Sequence, residues 1–261
     1  MARHVNKFKF LKPVFLWGGL ALAGAVIYAL GTFWLQRGWD GKSRFTVVDL
    51  GSPVRVLSFD PATHQGLRLT LPTDLWVSTG SGRGRFPVST LVVAGSSAWA
   101  ARSITDELGI FSQGELTHLN WVDKWRWWWA ARGVQWRAVD LAAAGLVNYH
   151  QTADGTSEGE LAPNWEQTAL GWFTSLTVAQ EQLAVRVVNT TSVPGLAATA
   201  ARQIETSGMK VVEVANSSDE VDKCHIVGSV QLQKSVGGRL MRQNYNCDWQ
   251  IGEPLTLYLG R

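Results

Sequence analysis

A run of 22 residues without one charged side chain, Val14 to Leu35, constrains this chain more than any other feature. As a helix rising about 1.5 Å per residue it reaches about 33 Å, enough to cross a hydrocarbon core of about 30 Å. Trp17 and Trp34 stand near its ends, where amphipathic rings favour the membrane interface. Before it, Met1 to Lys12 carries Arg3, Lys7, Lys9 and Lys12 and no acid. The pattern predicts a basic tail over 1–12, a transmembrane helix over 13–35 and a single-pass protein. Two readings compete with it. Ala29-Leu30-Gly31 offers small residues at cleavage-like spacing, although the run exceeds the about 7 to 15 residues of a signal-peptide core. A buried soluble helix is the other alternative. Arg37, Lys42 and Arg44 follow the run with Asp40 among them, so the positive-inside bias places the N-terminus in the cytoplasm by a small margin. The tail is too short to fold. Most of the chain is therefore expected outside the cytoplasm, anchored at the cell membrane.

The formal charge of +3 belongs to that tail. Without its four cations, 20 of the 24 basic residues remain against 21 acidic ones, a net of −1. Nothing in this balance calls for nucleic acid as a partner. The two cysteines, Cys224 and Cys247, are an even pair beyond the span, as a disulfide in an oxidising compartment requires. Closing their loop of 24 residues is worth about 3 kcal/mol by chain entropy. Two unrelated buried thiols are the alternative. The five histidines, His4, His64, His118, His150 and His225, are scattered without metal-ligand spacing, so no metal site is expected.

Beyond residue 35 an α+β chain is predicted. Phe45–Leu50, Val54–Phe59 and Leu67–Leu71 read as strands, with Asp60-Pro61-Ala62-Thr63-His64 as a turn. Ser96–Leu108 reads as a helix ended by Gly109. A module break falls near Trp172–Gln182. After it come a strand at Leu183–Val188, turn chemistry at Asn189–Gly195, a helix at Leu196–Thr206 and a glycine stop at Gly208. Strands at Met209–Val214 and His225–Val230, a helix at Gln231–Asn244 and a strand at Leu255–Leu259 complete the unit. The order β-α-β-β-α-β predicts an antiparallel-containing sheet with two helices on one face, the ferredoxin-like plan.

Trp121, Trp125, Trp128 and Trp129 fall on one helical face at i, i+4, i+7 and i+8, with Lys124, Arg126 and Arg132 between and beside them. Three readings stay open: a core-facing helix heavy in aromatics, a membrane-surface helix, or a platform on which sugar rings stack, with Trp121, Trp125 and Trp128 as binding residues.

Two segments resemble known families. Val185-Arg186-Val187-Val188-Asn189-Thr190-Thr191-Ser192-Val193-Pro194-Gly195-Leu196-Ala197 is similar to the opening of the LytR C-terminal domain, and the likeness runs over residues 182 to 260. Val54–Pro61, Leu67–Asp74 and Ala100–Ile110 resemble the core of the LytR-CpsA-Psr domain over residues 45 to 145. The resemblance implies a LytR-CpsA-Psr-like module over 36–180 and a LytR C-terminal-like domain over 181–261. It further implies a transferase that moves a glycopolymer from a polyprenyl-pyrophosphate lipid to peptidoglycan. Arginines grip the pyrophosphate in such an enzyme, and acids hold a divalent metal. This chain departs from the pattern. Gly51-Ser52-Pro53 stands where the family places an Arg-x-Asp-Thr-type motif, and Thr73 replaces the arginine before Asp74. Asp74, with Arg83 and Arg85 of the loop Gly80–Arg85, are the catalytic candidates if the transfer is retained, and Mg²⁺ is a cofactor only in that case. The Gly-rich loop lacks the Lys-Ser/Thr of a nucleotide site. The expectation is a non-catalytic envelope protein that binds cell-wall glycan, such as peptidoglycan, or another envelope protein.

Overall fold

Strand alternation sets the architecture of the larger part of the molecule. The computed structural model describes residues 19, 22–29, 31, 38–79, 84–218 and 221–260, in two compact units, Met1–Arg37 and Gly38–Arg261. In the first unit residues 22–29 are helical, and Leu22, Val26, Ile27 and Tyr28 are exposed. Among the described residues no helix is long and apolar enough to cross a membrane. The tail 1–12 and most of the predicted span 13–35 lie outside the described residues.

In the second unit, β1 (Phe45–Asp49), β2 (Arg55–Asp60) and β3 (Gln65–Thr70) form an antiparallel meander. β6 (Gln135–Asp140) joins in parallel beside β3, giving the order β1-β2-β3-β6. Because side chains alternate along a strand, Val48, Val56, Leu67 and Leu69 enter one core. Phe45, Val47 and Phe59 enter another on the opposite face. The first core is closed by α1 (Val88–Ala94), α2 (Ser97–Leu108) and residues of a later helix, through Leu91, Ala100, Ala101, Ile104, Trp165, Ala169 and Phe173. The second lies under α3 (Trp121–Ala131), whose Trp127 and Ala130 pack on it. The later helix is α4 (Trp165–Phe173). The predicted helix at Ser96–Leu108 matches α2, and its ends show why. The Ser96 hydroxyl accepts from the Trp99 amide, and Gly109 terminates the helix at φ 65°, a conformation that glycine enters without strain. Two hairpins, β4 (Trp76–Thr79) with β5 (Gly84–Pro87) and β7 (Val147–Gln151) with β8 (Ser157–Leu161), flank this layer.

The C-terminal sheet runs through β9 (Ala184–Asn189), β10 (Lys210–Asn216), β11 (His225–Gly228), β12 (Asp248–Ile251) and β13 (Thr256–Leu259). Its helices are α5 (Leu176–Gln180), α6 (Leu196–Ser207), α7 (Val230–Lys234) and α8 (Val236–Tyr245). Ala197, Ala200 and Ile204 of α6 and Val236, Leu240 and Met241 of α8 share one core with Val185, Val187, Ile226 and Leu257. The ferredoxin-like expectation is corrected by the strand order, β10-β9-β13-β11-β12. A split plan would separate the two strands of each βαβ unit. Here β9 pairs directly with β10 and β11 directly with β12, both in parallel, and β13 enters between the two units. The fifth strand, β12, lies within a stretch too short and polar to read as a strand, and residues 252–255 carry the chain past β11. Crossing two strand spacings needs about 10 Å, within reach of four residues. The predicted helix at 231–244 is two helices, because Ser235 is extended and its hydroxyl caps α8 through the Gly238 amide.

The motif at the start of this sheet has a local physical cause. The Asn189 carboxamide accepts from the Thr191 amide and hydroxyl at 3.0 and 2.8 Å and donates to Val193 O at 2.9 Å. Gly195 then takes φ 79° to open α6. The two sheets are tied by polar contacts across the predicted module break. Asp60 accepts from the Leu176 amide at 2.8 Å, Arg239 pairs with Asp40 at 2.9 Å, and the Gln203 amide donates to Asp106 at 2.7 Å. Burial pushes the Asp106 carboxyl above the usual range, against the opposing pull of Arg102 and Gln203.

Candidate functional site

Trp136 sits on the edge strand β6, and two clefts meet at it. Its ring lies over Gly66 of β3 and packs edge-on against Phe59 at 6.2 Å. On one side a cleft of about 470 Å³ is lined by Arg44, Arg137, Trp136 and Trp172, with Gln65 and Gln135 at the strand ends. The Arg137 guanidinium stands 5.5 Å from the centre of the Trp172 ring. Arg44 is held by Thr174 O at 3.1 Å and the Ser58 hydroxyl at 3.3 Å. Burial lowers its pKa while Asp60 raises it, and it remains a cation. On the other face of the sheet a cleft of about 400 Å³ is lined by Asp49, Arg55, Arg68, Trp127 and Trp136. Arg68 lies 4.9 Å from the Trp136 ring centre. This second cleft exists because α3 covers only the Phe45–Phe59 half of that face and leaves the arginine half open. The indole Nε1 of Trp127 is buried there without a hydrogen-bond partner in the protein. Guanidinium groups beside indole faces suit ligands that combine negative charge with flat apolar surface.

Gly66 holds this arrangement. A β-carbon there would meet Val134 Cγ1 and, at 2.7 Å, Trp136 Cε3. We expect Gly66→Ala to destabilise the body by about 1–3 kcal/mol through overpacking. It should also displace Trp136, which a shift in denaturation midpoint with altered tryptophan emission would report.

The residues singled out from sequence are placed differently. Asp74 accepts from the Tyr149 hydroxyl at 3.5 Å, and burial, helped by the Asp74 charge, raises the Tyr149 phenol. Arg85 pairs with Glu160 at 2.7 Å. Tyr149 faces Gly159 across the β7–β8 hairpin. Glu160 is the next residue and so projects to the opposite face. Asp74 and Arg85 thus engage the hairpin from its two faces. Arg83 and the loop 80–83 lie outside the described residues. Among the described residues no group of three or more His, Cys, Asp and Glu converges to hold a metal ion. Cys224 and Cys247 are joined in a disulfide. The core-facing reading of the tryptophan helix is corrected: Trp121, Trp125, Trp128 and Trp129 are 65, 54, 49 and 61% exposed. The helix buries its other side, Val122 and Asp123. The clefts themselves escaped the sequence, since Arg44, Arg55, Arg68 and Arg137 are distant in the chain; the one available signal was arginine within a strand, as at Arg68 and Arg137, which face Leu57 and Leu67.

Comparison with known proteins addresses the two halves unequally. Residues 182–261 match the family model LytR_C, LytR cell envelope-related transcriptional attenuator. No curated protein matches the chain in sequence. Solved structures that overlap with it include TagT bound to LIIa-WTA, at 10% identity over 51% of this chain and 91% of that one, TM-score 0.40. Another is the LytR-CPS2A-psr family protein YwtF (TagT) with bound octaprenyl pyrophosphate lipid, at 11% identity over 51% and 90%, TM-score 0.36. A transcriptional regulator from Enterococcus faecalis overlaps at 9% identity over 66% and 90%, TM-score 0.38. At such identities and scores the likeness carries no conclusion about this chain. Residues 182–261, which hold the second sheet, thus match the same LytR C-terminal family that the Asn189–Ala197 turn resembled.

Proposed function

We propose that this chain is a membrane-anchored cell-envelope protein, its folded body outside the cytoplasm, that binds an anionic cell-wall glycan without processing it. The observation that carries the reading is the cleft of about 470 Å³ beside β6, where Arg44 and Arg137 stand with the Trp172 ring. Indole faces stack on sugar C–H surfaces, and guanidinium groups pair with phosphate or carboxylate on the same polymer. The LytR C-terminal domain supports the envelope setting. The uncharged run before the body and the exposed apolar side chains of helix 22–29 support the anchor. The non-catalytic part of the reading rests on Gly51-Ser52-Pro53 and Thr73, which stand where the resembled transferases have their motif residues, and on Asp74 and Arg85 engaging opposite hairpin faces.

The test is binding of the full chain, in detergent, to peptidoglycan fragments with and without attached anionic polymer. Binding should favour the anionic fragments and weaken with salt. Arg137→Ala and Trp172→Ala should each reduce it by about tenfold, equivalent to about 1.4 kcal/mol. Absence of binding would sink the proposal. Mg²⁺-dependent binding of polyprenyl-pyrophosphate lipid, lost in Asp74→Ala, would establish the transferase alternative in its place.

A further inference from the structure

Helix α3 presents an aromatic face to the outside. Trp125 stacks with Trp129 at 6.2 Å, Trp128 tilts against Trp129 at 6.4 Å, and the Arg132 guanidinium sits 3.5 Å from the Trp128 ring centre. The helix has one acid, Asp123, and it is buried. A single exposed ring needs no explanation, but a contiguous indole patch marks an interaction surface.

Two observations choose what covers it. The first is where the chain enters the body. The Gly38 and Trp39 amides donate to the Asp123 carboxylate at 2.8 and 3.3 Å, and Arg126 donates to Trp39 O at 2.8 Å. The entry is therefore fastened to this helix. Gly38 is three residues past Leu35, the end of the uncharged run, and a fully extended chain covers that step in about 11 Å at most. The second is chemistry. Indoles with arginine and lysine, and no exposed acid, form the combination that settles at headgroup depth, rings toward the acyl boundary and cations on phosphate. We infer that the Trp121–Trp125–Trp128–Trp129 face docks on the lipid bilayer and lays α3 along the membrane surface. The inference rests on the anchored reading proposed above.

The full chain, reconstituted in vesicles of phosphatidylcholine and phosphatidylglycerol, carries a nitroxide at Trp125→Cys in one sample and at the exposed Val212→Cys in another. Because Cys224 and Cys247 are joined, each label has one attachment point. The label at 125 should be several-fold more accessible to oxygen than to a water-soluble nickel chelate, relative to the label at 212. Adding Trp128→Ala and Trp129→Ala should return it to the value at 212. A label at 125 that behaves like the one at 212, in chains retained through an alkaline wash, overturns the docking and leaves the anchor standing. Chains stripped by that wash, yet protected at 125 beforehand and only while Trp128 and Trp129 are present, overturn the anchor and support the docking. A label shielded from both reagents alike also overturns the inference, because protein would then cover the patch.

Discussion

Replacing Asp123 with alanine should lower the stability of the folded body by about 3–5 kcal/mol, because three donors lose a buried carboxylate and bonds to charged acceptors are worth about 1.5–3 kcal/mol each. Asp123 is 2% exposed. It accepts from Gly38 N, Trp39 N and the Asn120 amide at 2.8, 3.3 and 2.9 Å. Asn120 in turn caps α3 through the Asp123 amide at 2.8 Å. The loss reaches further than the helix end. Trp39, also 2% exposed, meets Phe45 at 4.8 Å and Phe59 at 5.6 Å in edge-on contacts, so its backbone anchor positions the core between α3 and the first sheet. A domain of this size is stable by about 5–15 kcal/mol in total, so the variant sits near the edge of folding. Asp123→Asn retains one acceptor oxygen and should lose about half as much. Urea denaturation at unchanged slope is the measurement. A loss below about 1 kcal/mol would show that water replaces the carboxylate without cost, and the fastening argument would fail with it.

The second large effect is on the disulfide. Replacing Cys224 and Cys247 together by serine should cost about 3 kcal/mol, from a loop that restrains the unfolded chain. For a body of this length that is a fall in Tm of about 6–12 °C, at about 2–4 °C per kcal/mol. The bond also has a local task. Cys224 and Cys247 immediately precede His225 and Asp248, which open the parallel register of β11 and β12. The Asp248 amide donates to Cys224 O at 3.2 Å, continuing that ladder to the cross-link. β12 is an edge strand of four residues, with little burial of its own to hold it. Hydrogen exchange in the serine variant should therefore rise first at β12 and the end of α8. An unchanged midpoint on reduction would mean that the Cys247 side chain, packed in the core, holds the strand without the bond.

Much of the molecule was legible in the chain because its causes are local. Residues 45–71 alternate over two faces, and Ser96 and Gly109 start and stop a helix by their own hydrogen bonds and dihedrals. The Asn189–Gly195 turn is built from side chains at most four residues apart, which is why a short string could point to the family model that residues 182–261 match. The paired cysteines announced their bond. Which strands become neighbours was different. β9 pairs with β10 and not across a split, and β13 inserts between two units, because β12 and four connecting residues steer the final strand around β11. No periodicity encodes that step.

The site followed the same division. Sequence by itself determined that tryptophans line one face of α3, since 3.6 residues per turn places them there; only tertiary packing decided that this face looks outward. The helix is fastened through Asp123 and Arg126 on its other side, and an amphipathic pattern does not say which of two apolar stripes meets a core. The clefts at Trp136 belong wholly to the tertiary structure. They bring Arg44, Arg68, Arg137 and Trp172 to one edge strand from four separate segments, and chain-distant cations acquire meaning as a site only when a sheet sets them side by side.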